Sequence, residues 1–213
     1  DETANAVPGG VYPGRSTSEL HGTTDPYVES NESVRNLGRD VYEFLVRANV
    51  GPGIKPGSPE SLKMIPKAAE SWEVTADGLT YTFKLRPGVK YHNIPPVNGR
   101  EMTIEDWRTS LERFLAQGFY RSVIAGVLAR AEYPDSRTMV WHLKEPYAPL
   151  IYRLEDVQAG FALMPRELNE NPALAATTPI GTNYRVLTKN EPSVTREYSR
   201  HEQYWAGKPF IER

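Results

Sequence analysis

No cysteine occurs among the 213 residues. That excludes disulfides and thiolate metal sites, and it is compatible with secretion. Long apolar runs are lacking too: none approaches the ~20 residues that a membrane-spanning helix needs. Neither sign of charge is in excess, because 25 Lys+Arg stand against 27 Asp+Glu for a formal net charge of -2. So balanced a chain offers no basic patch for nucleic acid and no polybasic membrane anchor. Histidine is scarce, with four copies at His21, His92, His142 and His201. No two sit at i, i+4 and none lies in a His-Glu-x-x-His helix, so no metal site is expected. There is no Gly-x-Ser-x-Gly elbow for a nucleophile. The prolines of Gly51–Gly57 remove the amides that a phosphate loop requires. No signal peptide is evident, and the start at Asp1 without an initiator Met reads as trimmed.

Glycine and proline are plentiful instead, at 16 and 18 residues, so many turns are expected. The most informative stretch runs from Ala69 to Arg113. Leu79, Tyr81, Phe83 and Leu85 alternate with Thr80, Thr82, Lys84 and Arg86, the pattern of a half-buried strand. Trp72 and Val74 alternate likewise before it, and Ala76-Asp77-Gly78 supplies the hairpin turn. The period then changes. Thr103 and Asp106 fit a capping box, and Ile104, Trp107, Leu111, Phe114 and Leu115 share one helical face. Glu105 and Asp106 read as helix-start residues rather than an acid/base pair, because neighbours on a helix diverge by about 100°.

Other elements follow from the same rules. Val11-Tyr12 reads as the close of a short first strand. A helix begins at Asn31, capped by Ser30 or Asn31, with Val34, Leu37, Val41, Phe44 and Leu45 on one face. Gly51–Ser61 is loop. A second helix is expected over 120–130, a strand over 138–144, a helical turn over 150–154, a strand over 161–164 and a short helix from Pro165. Residues 184–189 and 194–199 read as a second hairpin. Trp72, Phe83, Trp107, Leu111 and Trp141 are expected to form one buried cluster. Tyr27, Tyr120 and Tyr147, in or beside loops, suit a ligand cleft or simple exposed turns.

The Ala69–Arg113 unit resembles the signature of the family 5 extracellular solute-binding proteins, the peptide, dipeptide and nickel receptors of bacterial ABC importers. Three further stretches are similar to later family landmarks in the right order: Thr138–Tyr147, Pro179–Thr182 and Tyr204–Pro209. Asp25-Pro26 resembles the family's Asp-Pro. One departure is local: Gly181-Thr182-Asn183-Tyr184 lacks a residue of the usual Gly-Thr-Gly-Pro-Tyr, so Gly181 and Thr182 receive no ligand role.

Strands joined by hairpins and mixed with helices indicate an α/β or mixed α+β class. The resemblance implies the first lobe of a type II periplasmic-binding-protein fold, a mixed sheet with helices and an inserted hairpin/helix subdomain. Residues 1–49 and 179–213 would form part of the lobe's core, and residues 50–178 the insertion carrying the 69–113 unit. Family members are more than twice this long, so the chain is expected to be an N-terminal fragment without the second lobe. The implied function is solute capture for an importer, with no catalysis and no cofactor. Carried over by position, the ligand contacts are Ser30, Asn31, Glu32 and Tyr120. The implied partners are a peptide or similar small solute and a membrane permease. The chain is expected to be a monomer, with no nucleic acid bound. It is placed in the periplasm or outside the cell, with a removed N-terminal lipoprotein segment as one mode of anchoring. A secreted hydrolase domain and a non-catalytic adhesion or assembly module are the alternatives.

Overall fold

The structure, a computed structural model, describes residues 7–14, 22–155 and 161–213. The start Asp1–Ala6 and His21 lie outside them. Its centre is a four-stranded antiparallel sheet. Strand β3 (Ala69–Val74) pairs with β4 (Thr80–Leu85), β4 with β6 (Thr138–Leu143), and β6 with β5 (Leu128–Asp135). The β3–β4 turn is as expected: Gly78 has φ 70°, and Leu79 N donates to Asp77 Oδ1 at 3.0 Å. Alternation decides the faces. Tyr81, Phe83 and Leu85 lie on the buried side with Met139, Trp141 and Leu143, while Thr80, Thr82 and Lys84 face outward. Two small hairpins complete the sheets: β1 (Val46–Ala48) with β2 (Met64–Pro66), and β7 (Arg185–Glu191) with β8 (Thr195–Arg200). Every named ladder is antiparallel, so the mixture is one of helices and sheets.

Helix α2 (Ile104–Gln117) covers the buried face with Trp107, Leu111 and Phe114. Its start is fixed as expected, because Asp106 Oδ2 accepts from Thr103 N at 2.8 Å. A line of edge-to-face rings runs through the core, from Tyr27 to Phe114 (5.6 Å), Phe161 (6.2 Å), Trp141 (5.7 Å) and Phe83 (5.9 Å). Of the five residues expected in this cluster, four are buried. Trp72 is only half-buried, because β3 is the sheet edge and its outer neighbours are solvent.

Several expectations need correction. Helix α1 (Glu32–Val41) stops before Phe44 and Leu45, which are buried in the irregular segment that leads into β1. The cause is remote. Asn183 donates from its backbone to Val41 O (3.0 Å) and from its side chain to Arg39 O (2.6 Å) and Tyr42 O (3.1 Å). Those carbonyls need partners at a helix end, and Asn183 supplies them. The helix expected over 120–130 is α3 (Arg121–Val127), and the chain then enters the unanticipated strand β5. Residues 161–164 form no strand beyond one bridge between Glu43 and Leu163. Val11-Tyr12 is not a strand either, although Tyr12 N donates to Arg213 O at 2.8 Å. The turns α4 (Leu150–Arg153) and α5 (Arg166–Asn169) fall where expected, and α6 (Pro172–Ala175) is an addition.

Candidate functional site

Two of the four candidate contacts meet. Tyr120 Oη donates to Ser30 Oγ at 3.3 Å, across 90 residues of sequence. Ser30 ends the Asp-Pro loop just before α1, and Tyr120 is the residue before α3. Asn31 is the α1 N-cap, its side chain accepting from Val34 N at 2.9 Å, so the capping role is filled. Glu32 is exposed in the first helical turn, where its charge favours the helix dipole. Around the hydroxyl pair, Val28 is 44% exposed and Phe119 57%. The Phe119 and Tyr120 rings meet edge to face at 4.9 Å. Arg35 Nη1 donates to Ser30 O at 3.0 Å and steadies the loop end. The surface thus offers two hydroxyls, exposed apolar side chains and an aromatic edge, which suits contact with a small amphipathic molecule.

What lies beneath it is charged and buried. Asp25 and Arg113 form an ion pair with side chains 1% and 5% exposed. Asp25 Oδ1 also accepts from Tyr27 N at 3.0 Å. Tyr27 is fully buried and its hydroxyl donates to Ala162 O, so this loop aromatic belongs to the core and not to a cleft. Tyr147 is likewise packed, though only partly buried. The sequence reading passed over Val28 and Phe119; their signal was two apolar residues beside loop tyrosines.

Neither of two shallow depressions involves the candidates. One, of about 350 Å³, is lined by Leu111, Leu115, Leu128 and Tyr133 among others. The second, of about 460 Å³, lies beside Arg39, Pro149, Tyr152 and Arg153. Ser30, Asn31 and Tyr120 are half-buried, and Glu32 is exposed.

Three titratable groups, two histidines and a glutamate, are deeply buried. His92 and His201 are both buried, with ring centroids 4.9 Å apart. Burial lowers the His92 pKa to about 3 against an opposing bond, in which Nε2 donates to Asn183 O at 2.9 Å. Burial lowers that of His201 as well. Glu43 is fully buried, and burial pushes its carboxyl up to about 7 despite Lys67 Nζ at 3.8 Å. Thr80 Oγ1, His142 and Glu132 form a hydroxyl–imidazole–carboxylate row with steps of 3.4 Å each. The row lies on the open polar face of the sheet, where the strand amides are committed to the ladders. Among the described residues no group of three or more His, Asp or Glu could hold a metal ion, and no helix is long and apolar enough to cross a membrane.

A model of the bacterial extracellular solute-binding proteins, family 5 Middle, matches residues 63–213. Tyr120 lies within that span, and residues 30–32 lie before it. The chain is similar to di/tripeptide-binding protein 2 of Pseudomonas aeruginosa, 33% identical over 180 residues that make up 73% of this chain and 32% of that protein. It is also similar to the dipeptide-binding protein of Escherichia coli, 31% identical over 193 residues, 81% of this chain and 34% of that one. Among solved structures it resembles the ABC transporter-associated periplasmic binding protein DppA from Helicobacter pylori in complex with peptide STSA. That TM-score is 0.80 at 22% identity, over 100% of this chain and 43% of the other. NikA from Brucella suis in complex with Fe(III)-EDTA gives 0.74 at 25% identity, over 96% of this chain and 38% of the other. The fold is therefore that of part of a periplasmic binding protein. The chain spans about a third of the length of the curated relatives it matches.

Proposed function

This chain belongs to the family 5 bacterial extracellular solute-binding proteins, and on that premise we propose that it contributes one side of the solute-capturing site of an ABC importer. The observation that carries the reading is the Tyr120–Ser30 hydroxyl pair flanked by exposed Val28 and Phe119. The solute class is a short peptide, in keeping with the names of the two relatives above. Ser30 and Tyr120 would meet its polar backbone. Asn31 and Glu32 line the same loop exit, Asn31 chiefly as a helix cap. Residues 50–178 form an insertion between 1–49 and 179–213. The protein works in the periplasm or outside the cell as a monomer, handing its solute to a membrane permease, with a removed N-terminal lipoprotein segment as one mode of anchoring. It carries out no catalysis. The two buried histidines are sequestered, and the Glu132 carboxylate of the Thr80–His142–Glu132 row is half-exposed to solvent.

A tight ligand site encloses ~70–90% of its ligand, and the single side proposed here would leave much of a peptide uncovered. Affinity of the 213-residue chain alone should accordingly be on the order of 1 mM. Titration of ¹⁵N-labelled chain with a panel of di- to tetrapeptides tests the reading by NMR. Saturable shifts are expected at the amides of Ser30, Asn31, Glu32, Phe119 and Tyr120. The reading fails if no peptide moves those amides. Turnover of ester, glycoside or peptide substrates that disappears in His142→Ala would favour the hydrolase alternative instead.

A further inference from the structure

We propose that the buried Asp25–Arg113 ion pair is a positioning device that sets the Ser30 and Tyr120 hydroxyls at their working separation. The inference rests on the reading of that pair as a ligand contact. Ser30 and Tyr120 belong to different segments, and neither packs deeply enough to fix the other. Each, however, lies a few residues beyond one half of the ion pair. Asp25 opens the loop that ends at Ser30, and Arg113 occupies the last turns of α2 before Tyr120. Arg113 reaches Asp25 through both terminal nitrogens, Nη1 at 3.4 Å from Oδ1 and Nη2 on Oδ2. The same carboxylate holds Tyr27 N, and Tyr27 O in turn accepts from Phe119 N at 2.6 Å. An unbroken set of polar contacts thus runs from α2 through Asp25 and Tyr27 to Phe119, the neighbour of Tyr120. The guanidinium also lies over the Tyr27 ring at 5.3 Å.

Stability alone does not account for such a pair. Desolvating two charges offsets much of their attraction, and well-packed apolar residues often serve as well or better. A two-pronged guanidinium–carboxylate contact does what apolar packing does not, because it fixes angle as well as distance. A contact site needs its groups held to a fraction of an ångström, and supporting groups of this kind provide it.

The test uses the full chain with 3-fluorotyrosine incorporated, the Tyr120 ¹⁹F line being assigned through Tyr120→Phe. In the parent, Ser30→Ala should shift the Tyr120 line, because their hydrogen bond is lost. In the folded double variant Asp25→Leu/Arg113→Met the line should already be displaced, and Ser30→Ala should no longer move it. An equal response to Ser30→Ala in both backgrounds would overturn the proposal. If the double variant does not fold, Arg113→Lys keeps the charge without the two-pronged geometry. A displaced or broadened Tyr120 line then supports positioning, and an unchanged line overturns it. A second arm titrates trialanine into each protein, and about tenfold weaker binding in the folded variant is expected from a misplaced hydrogen-bonding group. Should the parent bind no peptide, the functional reading fails, while the fluorine arm still decides whether the ion pair sets the two hydroxyls.

Discussion

The carbonyl oxygen of Val41 lies 1.9 Å from the point that a β-carbon on residue 181 would occupy. Gly181 is therefore required by space, at the crossing where the segment before β7 passes the end of α1. The colliding atom is backbone, and Asn183 ties that backbone in place with three hydrogen bonds. Gly181→Ala should cost ~3 kcal/mol or more, the upper end for overpacking. In a domain of this size that is a fall in Tm of about 6–12 °C. A Tm within 2 °C of the parent, by calorimetry, would mean that the crossing can open at little cost.

Trp107 and Trp72 make a matched pair of probes. Trp107 is fully buried between α2 and the sheet, whereas Trp72 is half-buried on the edge strand. Trp107→Ala should lose about 3–5 kcal/mol, a large part of the ~5–15 kcal/mol that holds a domain together. Trp72→Ala should lose less than half as much. Equal shifts in urea midpoint for the two variants would contradict the edge assignment.

Stability should depend on pH in two opposed ways. The Glu43 carboxyl titrates near 7 in the fold against an ordinary 4.5, so its contribution is full below 4.5 and is lost as pH rises to about 7. His92 titrates near 3 against an ordinary 6.5, so its contribution is full above 6.5 and is lost as pH falls toward 3. Each is worth on the order of 3–5 kcal/mol. Between 4.5 and 6.5 the two slopes oppose each other. Glu43→Gln should remove the first slope, leaving a protein more stable than the parent at pH 8 and more steeply weakened by acid between pH 6.5 and 4.5. Urea midpoints measured at pH 5, 6, 7 and 8 check both parts. A parallel pH profile for parent and variant would place the buried titration elsewhere.

Asn31 and Ser30 separate capping from contact. Asn31→Ala removes the bond to Val34 N and should cost about 1 kcal/mol in thermal stability. Ser30→Ala loses only a half-exposed, 3.3 Å bond and should melt within about 0.5 kcal/mol of the parent. If Ser30→Ala proves as destabilising as Asn31→Ala, Ser30 is part of the scaffold and the candidate surface loses its best member.

Much of the fold was legible because its signals are local. Thr103 and Asp106 start α2, Gly78 turns the β3–β4 hairpin, and alternation over Tyr81, Phe83 and Leu85 names the inner face. What was missed depends on residues far away. The α1 face continues through Phe44 and Leu45, yet Asn183 captures the helix end at Val41. Leu128 sits at helical spacing from Ile124, but its backbone joins the edge of the sheet beside β6. Along α2 a second buried stripe is polar: Asp106, Ser110 and Arg113. Period alone assigns such a stripe to water, whereas here Met164 and Asp25 receive it. The candidate contacts came from the resemblance, not from composition or spacing. Of the four, the structure brings Ser30 and Tyr120 together and gives Asn31 a capping duty.

The seal that Asn183 places on α1 also dates the completion of that helix during synthesis. Its partner Tyr42 leaves the ribosome 141 residues earlier. At ~5–20 residues per second, that gap is roughly 7–28 seconds. Throughout it, the carbonyls of Arg39, Val41 and Tyr42 lack the partner that Asn183 supplies. Helix α1 is thus finished late, and a nascent chain stalled before residue 183 should carry its end frayed.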